Sequence, residues 1–177
     1  MTREEFDILQ KRCAGLLTQE EVDTAIKWKK SKAEIEELLD NCLAQGNPDN
    51  NFEVYFWYTP SDITRLEDEK LSRKYLLVEG HFEHENIASG FQTYLNNSSE
   101  NVDILIQAIE NVPKYLELDD FKYPYIRKCI YAIGAQPEPE NFKGLILLAE
   151  SNDIRIKELA IHQIEKRKMR GYWEKEK

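Results

Sequence analysis

The sequence predicts an all-α protein, and three observations carry that prediction. Apolar residues return every three or four positions along nearly the whole chain. Thr18 with Glu21 and Ser31 with Glu34 are capping boxes, the local signature of a helix start. Chain-breaking residues are few, 7 Gly and 6 Pro in 177 residues, whereas a sandwich of short strands needs turn chemistry every ~8–12 residues.

The elements follow in order. Phe6, Leu9, Cys13, Leu16 and Leu17 form the apolar stripe of a first helix. A second, opened by Thr18, carries Val22, Ala25 and Ile26. A third, opened by Ser31, places Ile35, Leu38, Leu39 and Cys42 on one side and stops at Gly46-Asn47-Pro48. Residues 52–58, Phe-Glu-Val-Tyr-Phe-Trp-Tyr, favour a strand by propensity. No second segment reads as its partner, so a buried helical turn or an extended packing segment is preferred. Thr59-Pro60-Ser61-Asp62 then reads as a helix start, with Ile63, Leu66, Leu71, Tyr75, Leu76 and Val78 continuing helically to Gly80.

The second half reads as paired helices. Ile87, Phe91 and Leu95 recur at spacing four in a helix from His84 to Leu95. Val102, Leu105, Ile106 and Ile109 begin another, ending near 113–118. Pro124 stands where a first helical turn tolerates proline, and Ile126, Cys129, Ile130 and Ile133 follow, closed by Gly134. Gln136-Pro137-Glu138-Pro139-Glu140 opens a helix with Phe142, Leu145, Ile146 and Ala149. After Ser151-Asn152-Asp153 the last helix carries Ile156, Leu159, Ala160, Gln163 and Ile164. The end, 168–177, reads as a polar tail from which Tyr172 and Trp173 could dock back. An offset of 31 residues lays Cys129 over Ala160 and Ile133 over Ile164, a period suited to stacked helical pairs. The chain is read as one domain over 1–177, with N-terminal helices in 1–46 and repeat-like pairs in 62–167.

Composition restricts function. Hydrophobic residues at 41% and charged ones at 32% exclude a disordered chain. A net charge of −9 argues against phosphate-backbone and anionic membrane binding, which draw on Lys and Arg. Cys13, Cys42 and Cys129 are scattered within apolar helical patterns, as buried and reduced cysteines would be. No apolar run follows Met1-Thr2-Arg3-Glu4-Glu5 as a signal peptide, and no stretch approaches the ~18 apolar residues of a membrane span. A cytoplasmic protein is expected.

No catalytic motif emerges. Ser31, Ser61, Ser98, Ser99 and Ser151 sit at helix starts, where capping explains them. His81, His84 and Glu85 have the spacing of one helix face and could ligate a metal or form a base with its orienting partner. The preferred alternative is that His84 or Glu85 caps or bridges adjoining helices. No metal or cofactor is expected.

Two segments resemble a known family. Tyr125-Ile126-Arg127-Lys128-Cys129-Ile130-Tyr131-Ala132-Ile133-Gly134 is similar to the second helix of a HEAT repeat. His81-Phe82-Glu83-His84-Glu85-Asn86-Ile87 resembles a His-x-x-His-Glu-Asp/Asn-Ile signature of small bacterial HEAT-like proteins, several of them suspected immunity proteins of polymorphic toxin systems. Gly80 stands where that signature carries Trp. The resemblance covers about residues 62–167. It implies HEAT-like antiparallel helical pairs stacked as a short right-handed α-solenoid. It also implies a non-enzymatic immunity protein that binds and neutralises a cognate toxin.

Most acidic residues lie near helix starts or on polar faces, where helix dipoles and water account for them. The remainder could meet a basic protein. Glu117, Asp119 and Asp120 with Tyr123 and Tyr125, together with Glu83, Trp57 and Tyr58, are the expected partner-binding residues. The alternatives are a HEAT-like nucleic-acid-processing enzyme, disfavoured by the charge, or a scaffold subunit of a larger assembly.

Overall fold

The computed structural model describes residues 1–171; Tyr172, Trp173 and the rest of the tail lie outside them. The described chain is all-helical. Its α-helices are α1 (Arg3–Cys13), α2 (Gln19–Ala25), α3 (Lys32–Ala44), α4 (Asn51–Tyr58), α5 (Glu69–Leu76), α6 (His84–Thr93), α7 (Glu100–Glu110), α8 (Asp119–Ala135), α9 (Glu140–Ala149) and α10 (Ile154–Lys168). Short 3₁₀ turns occupy Pro48–Asn50 and Lys114–Leu116. Among the described residues no helix is long and apolar enough to cross a membrane. The chain divides into two compact units: Met1–Leu71 with Gly80–Phe82, and Ser72–Glu79 with the chain from Glu83 on.

In the first unit, α1, α2 and α3 each begin with a capping box: Thr2 with Glu5, Thr18 with Glu21 and Ser31 with Glu34. The hydroxyl accepts the N3 backbone N–H while the glutamate accepts the N-cap N–H, so two orphan donors are satisfied at once. Val22 of α2, with Leu9, Ile26 and Val54, forms an apolar core flanked by Phe6, Leu17, Trp28 and Tyr55. Cys13 is exposed, contrary to the expectation that all three cysteines are buried. It is the last residue of α1, and Gly15, at φ +72°, turns the chain away before anything can cover it.

Residues 52–58 are helical, which resolves the ambiguous aromatic run. The strand-like reading has a physical cause: α4 packs against both α1 and α3. Phe52 and Phe56 are buried on one side of this short helix and Val54 on the other, so burial alternates although the backbone does not. Asn47 prepares its start, accepting the Phe52 N–H at 2.7 Å. Asn47, Asp49 and Asn50 all take positive φ, which these residue types tolerate better than most.

The helix expected from Thr59-Pro60-Ser61-Asp62 starts only at Glu69. The intervening turns bring Arg65 inward. Its Nη2 donates to the carbonyls of Tyr55 (3.0 Å) and Thr59 (2.9 Å), and its Nε donates to that of Phe56. A buried cation thus satisfies orphan carbonyls at the negative end of α4. Burial pulls its pKa down to about 10. Asp68 then accepts the Leu71 N–H at 2.9 Å in the first turn of α5.

In the second unit α8 is the central element, in contact with α6, α7, α9 and α10. It buries Tyr125, Ile126, Cys129, Ile130, Ala132, Ile133 and Gly134. α8 begins at Asp119, earlier than the expected Pro124, which is its sixth residue. The Leu118 carbonyl accepts the N–H of both Phe121 and Lys122 at 2.9 Å, which closes the first turn before the proline removes a donor. α7 ends at Glu110, short of the expected 113–118. Asp153 caps α10, accepting from the N–H groups of Arg155 and Ile156. Gly144 of α9 allows close packing on α7, since a Cβ there would lie 2.6 Å from Val102 Cγ1.

Candidate functional site

The first turns of α8 and α10 are held side by side by charge and aromatic contacts. Arg155 Nη1 is 3.2 Å from Asp119 Oδ2, and its guanidinium carbon lies 4.5 Å from the centroid of the Tyr123 ring. The Tyr123 hydroxyl donates to Asp153 Oδ2 at 3.0 Å. That hydrogen bond, followed by partial desolvation, raises the Tyr123 pKa. For Asp153, desolvation pushes its pKa up, but the Ile156 N–H, the Tyr123 hydroxyl and the Arg155 N–H outweigh it and leave the carboxyl below its ordinary value. Asp119 and Tyr123 thus both have partners on α10 at this surface.

Beside them lie large apolar side chains in water. Leu118 is 71% exposed, Phe121 53% and Ile154 70%. Leu118 is the N-cap of α8 and Phe121 its third residue, next to exposed Glu117, Asp119 and Asp120. The side chains of Glu117 and Asp120 have no ion-pair or hydrogen-bond partner among the described residues. The sequence reading found these acids but not the two apolar residues beside them, which belong to no helical stripe. Their isolation from the periodic pattern is the signal that marks them.

The other expected partner-binding residues are placed differently. Tyr125 is completely buried, because two residues along a helix from Tyr123 the side chain points to the opposite side. Burial pushes its phenol pKa far up. Glu83 is only 7% exposed and accepts from Asn86 Nδ2 at 2.9 Å, so its carboxylate is turned inward as well. Neither presents itself to a partner. Trp57 and Tyr58 belong to the first unit, where Trp57 is partly exposed and the Arg12 guanidinium lies 5.6 Å from the Tyr58 ring centroid. Both line a hollow of about 260 Å³ with Thr59 and Thr64.

His81, His84 and Glu85 have separate partners. The His81 ring stacks on Phe52 at 4.2 Å in the first unit. In the second unit, His84 Nε2 lies 3.0 Å from the Val78 carbonyl and Nδ1 lies 3.3 Å from the Tyr115 hydroxyl. Nε2 donates to the carbonyl, and Nδ1 and the Tyr115 hydroxyl lie within hydrogen-bond reach of each other. Glu85 pairs with Lys128 at 3.0 Å, a link from α6 to α8. Among the described residues no three His, Cys, Asp or Glu side chains converge to hold a metal ion.

The sequence reading also missed the seam between α8 and α10. Tyr123, Arg127 and Tyr131 recur at spacing four along α8, and Arg155, Leu159, His162 and Lys166 form the matching row of α10. At one end the Arg155 guanidinium covers Tyr123, and at the other Lys166 Nζ lies 4.6 Å from the Tyr131 ring centroid. Between these contacts lies a hollow of about 450 Å³. In comparisons with known proteins, no family model, no curated protein and no solved structure matches this chain.

Proposed function

We propose that this chain is a non-enzymatic, cytoplasmic protein-binding module, its helical pairs stacked in the manner of HEAT repeats. Its proposed role is that of an immunity protein, neutralising a cognate bacterial toxin by direct contact. One observation supports this reading above the rest: Leu118 and Phe121 stand in water, flanked by Glu117, Asp119 and Asp120. Large apolar side chains exposed together and rimmed by charge characterise protein contact surfaces. The acids would steer a basic partner and select it, while the apolar pair would supply desolvation energy on contact. The net charge of −9 acts in the same direction.

Co-expression with the product of the adjacent open reading frame tests this. Cells should survive that product only when this chain is present, and the two proteins should co-purify. Phe121→Arg and the double substitution Asp119→Arg, Asp120→Arg should lose protection while keeping the native helical circular dichroism. A neighbouring product that is harmless, or equal protection by the surface variants, would defeat the proposal.

A further inference from the structure

The hollow in the α8/α10 seam has a chemistry unlike the acidic end of the same helices. Its apolar wall is built from Leu159, Pro124 and the Tyr123 ring, and four polar side chains complete it: Arg127, Arg155, Glu158 and His162. Of these, the side chains of Arg127, Glu158 and His162 have no hydrogen-bond or ion-pair partner among the described residues. The other charges here are committed. Arg155 pairs with Asp119, Tyr123 donates to Asp153, and Lys166 lies over Tyr131. The Arg127 guanidinium and the Glu158 carboxylate thus border one hollow without pairing with each other, around an apolar surface.

We infer that this seam binds a small zwitterion with an apolar body, of the class of free amino acids with apolar side chains. Arg127 presents a planar fork of donors that matches a carboxylate in bidentate fashion. Glu158 takes the ammonium, and His162, one turn further along α10, offers a second donor to the carboxylate. The apolar body lies against Leu159, Pro124 and the Tyr123 ring. A volume of about 450 Å³ falls within the ~300–1,000 Å³ of small-molecule sites. Glu158 also gives the site its selectivity, because a carboxylate without an ammonium would meet its charge unpaired.

Titration calorimetry on the full chain tests this, with three probes: L-phenylalanine, 3-phenylpropionate, which lacks the ammonium, and phenylethylamine, which lacks the carboxylate. L-Phenylalanine should bind saturably, and more tightly than either analogue. Arg127→Gln should weaken it about tenfold or more, the scale of a lost charge-assisted pair. Glu158→Gln should abolish the preference for L-phenylalanine over 3-phenylpropionate. Both side chains are exposed, so helical circular dichroism should be unchanged in each variant. No saturable binding below ~10 mM would overturn the inference. So would equal binding by the Arg127→Gln protein, or a preference that survives Glu158→Gln.

Discussion

The side-chain amide of Asn101 donates to Gln136 Oε1 at 2.9 Å, with both residues buried. The pair ties the start of α7 to the end of α8. Asn101 Nδ2 also donates to the Leu95 carbonyl at 2.9 Å, and its Oδ1 accepts from Arg73 Nε at 2.7 Å. Gln136 Nε2 donates to the carbonyls of Phe91 (2.8 Å) and Ala132 (3.0 Å). Arg73 continues outward to Ser98 and Glu100. Removing one member leaves buried partners short of a hydrogen bond, which costs more than the bond itself contributes. Asn101→Ala should therefore lower unfolding stability by about 2–3 kcal/mol in urea denaturation. A cycle with Gln136→Ala should show a coupling of about 1 kcal/mol, and additive losses would mean the pair is not energetically linked.

Two helical glycines should differ in how far alanine destabilises them. At Gly144 the new Cβ would meet Val102 Cγ1, a stiff β-branched neighbour, at 2.6 Å. Gly144→Ala should cost about 1–3 kcal/mol, and Val102→Ala in the same chain should return part of it. At Gly134 the shortest approach, 2.5 Å, is to Gln163 Nε2, the far end of a flexible side chain, but its Cγ at 3.1 Å must give as well. There the higher helix propensity of alanine, worth up to ~1 kcal/mol, offsets part of the adjustment. Thermal melts of the two single variants check the order, with Gly144→Ala the lower.

Acid should loosen the first unit through its capping boxes. Backbone N–H donation from Thr2, Thr18 and Ser31 lowers the pKa of Glu5, Glu21 and Glu34 below the ordinary value of 4.5. In the unfolded chain these groups titrate near that ordinary value. The stabilisation is therefore complete above it and is lost as pH falls through the depressed values in the folded protein. Replacing all three with Gln should lower stability at neutral pH and flatten the acid limb of the stability profile. An unchanged acid limb would remove the caps from the explanation.

Thiol reactivity should distinguish the three cysteines. Cys13 is exposed, whereas burial raises the Cys42 thiol to about 11, assisted by the Glu53 charge, and the Cys129 thiol to about 12. An aromatic disulfide reagent at about pH 8 should titrate one thiol quickly in the native protein, and all three in denaturant. Cys13→Ser should abolish the fast phase.

What could be read in advance was local. A capping box spans three residues, so Thr18 with Glu21 and Ser31 with Glu34 place α2 and α3 without reference to any other part of the chain. The buried stripe of α8 through Ile126, Cys129, Ile130 and Ile133 follows from the helical period, and with it the all-α class. Thr2 with Glu5 carried the same signal and was readable in the same way.

What could not be read depends on which helices meet. α4 lies between two neighbours and loses the one-sided pattern that marks a surface helix. Arg65 reaches back nine residues to the Phe56 carbonyl, and that contact turns an apparent helix start into an inward loop. Asp119 and Arg155, 36 residues apart, meet where the first turns of α8 and α10 lie side by side, and the hollow exists only because those two rows face each other. Periodicity specifies which side of a helix is buried. The packed chain specifies what that side is buried against, and so which charged and apolar groups remain exposed to bind a partner.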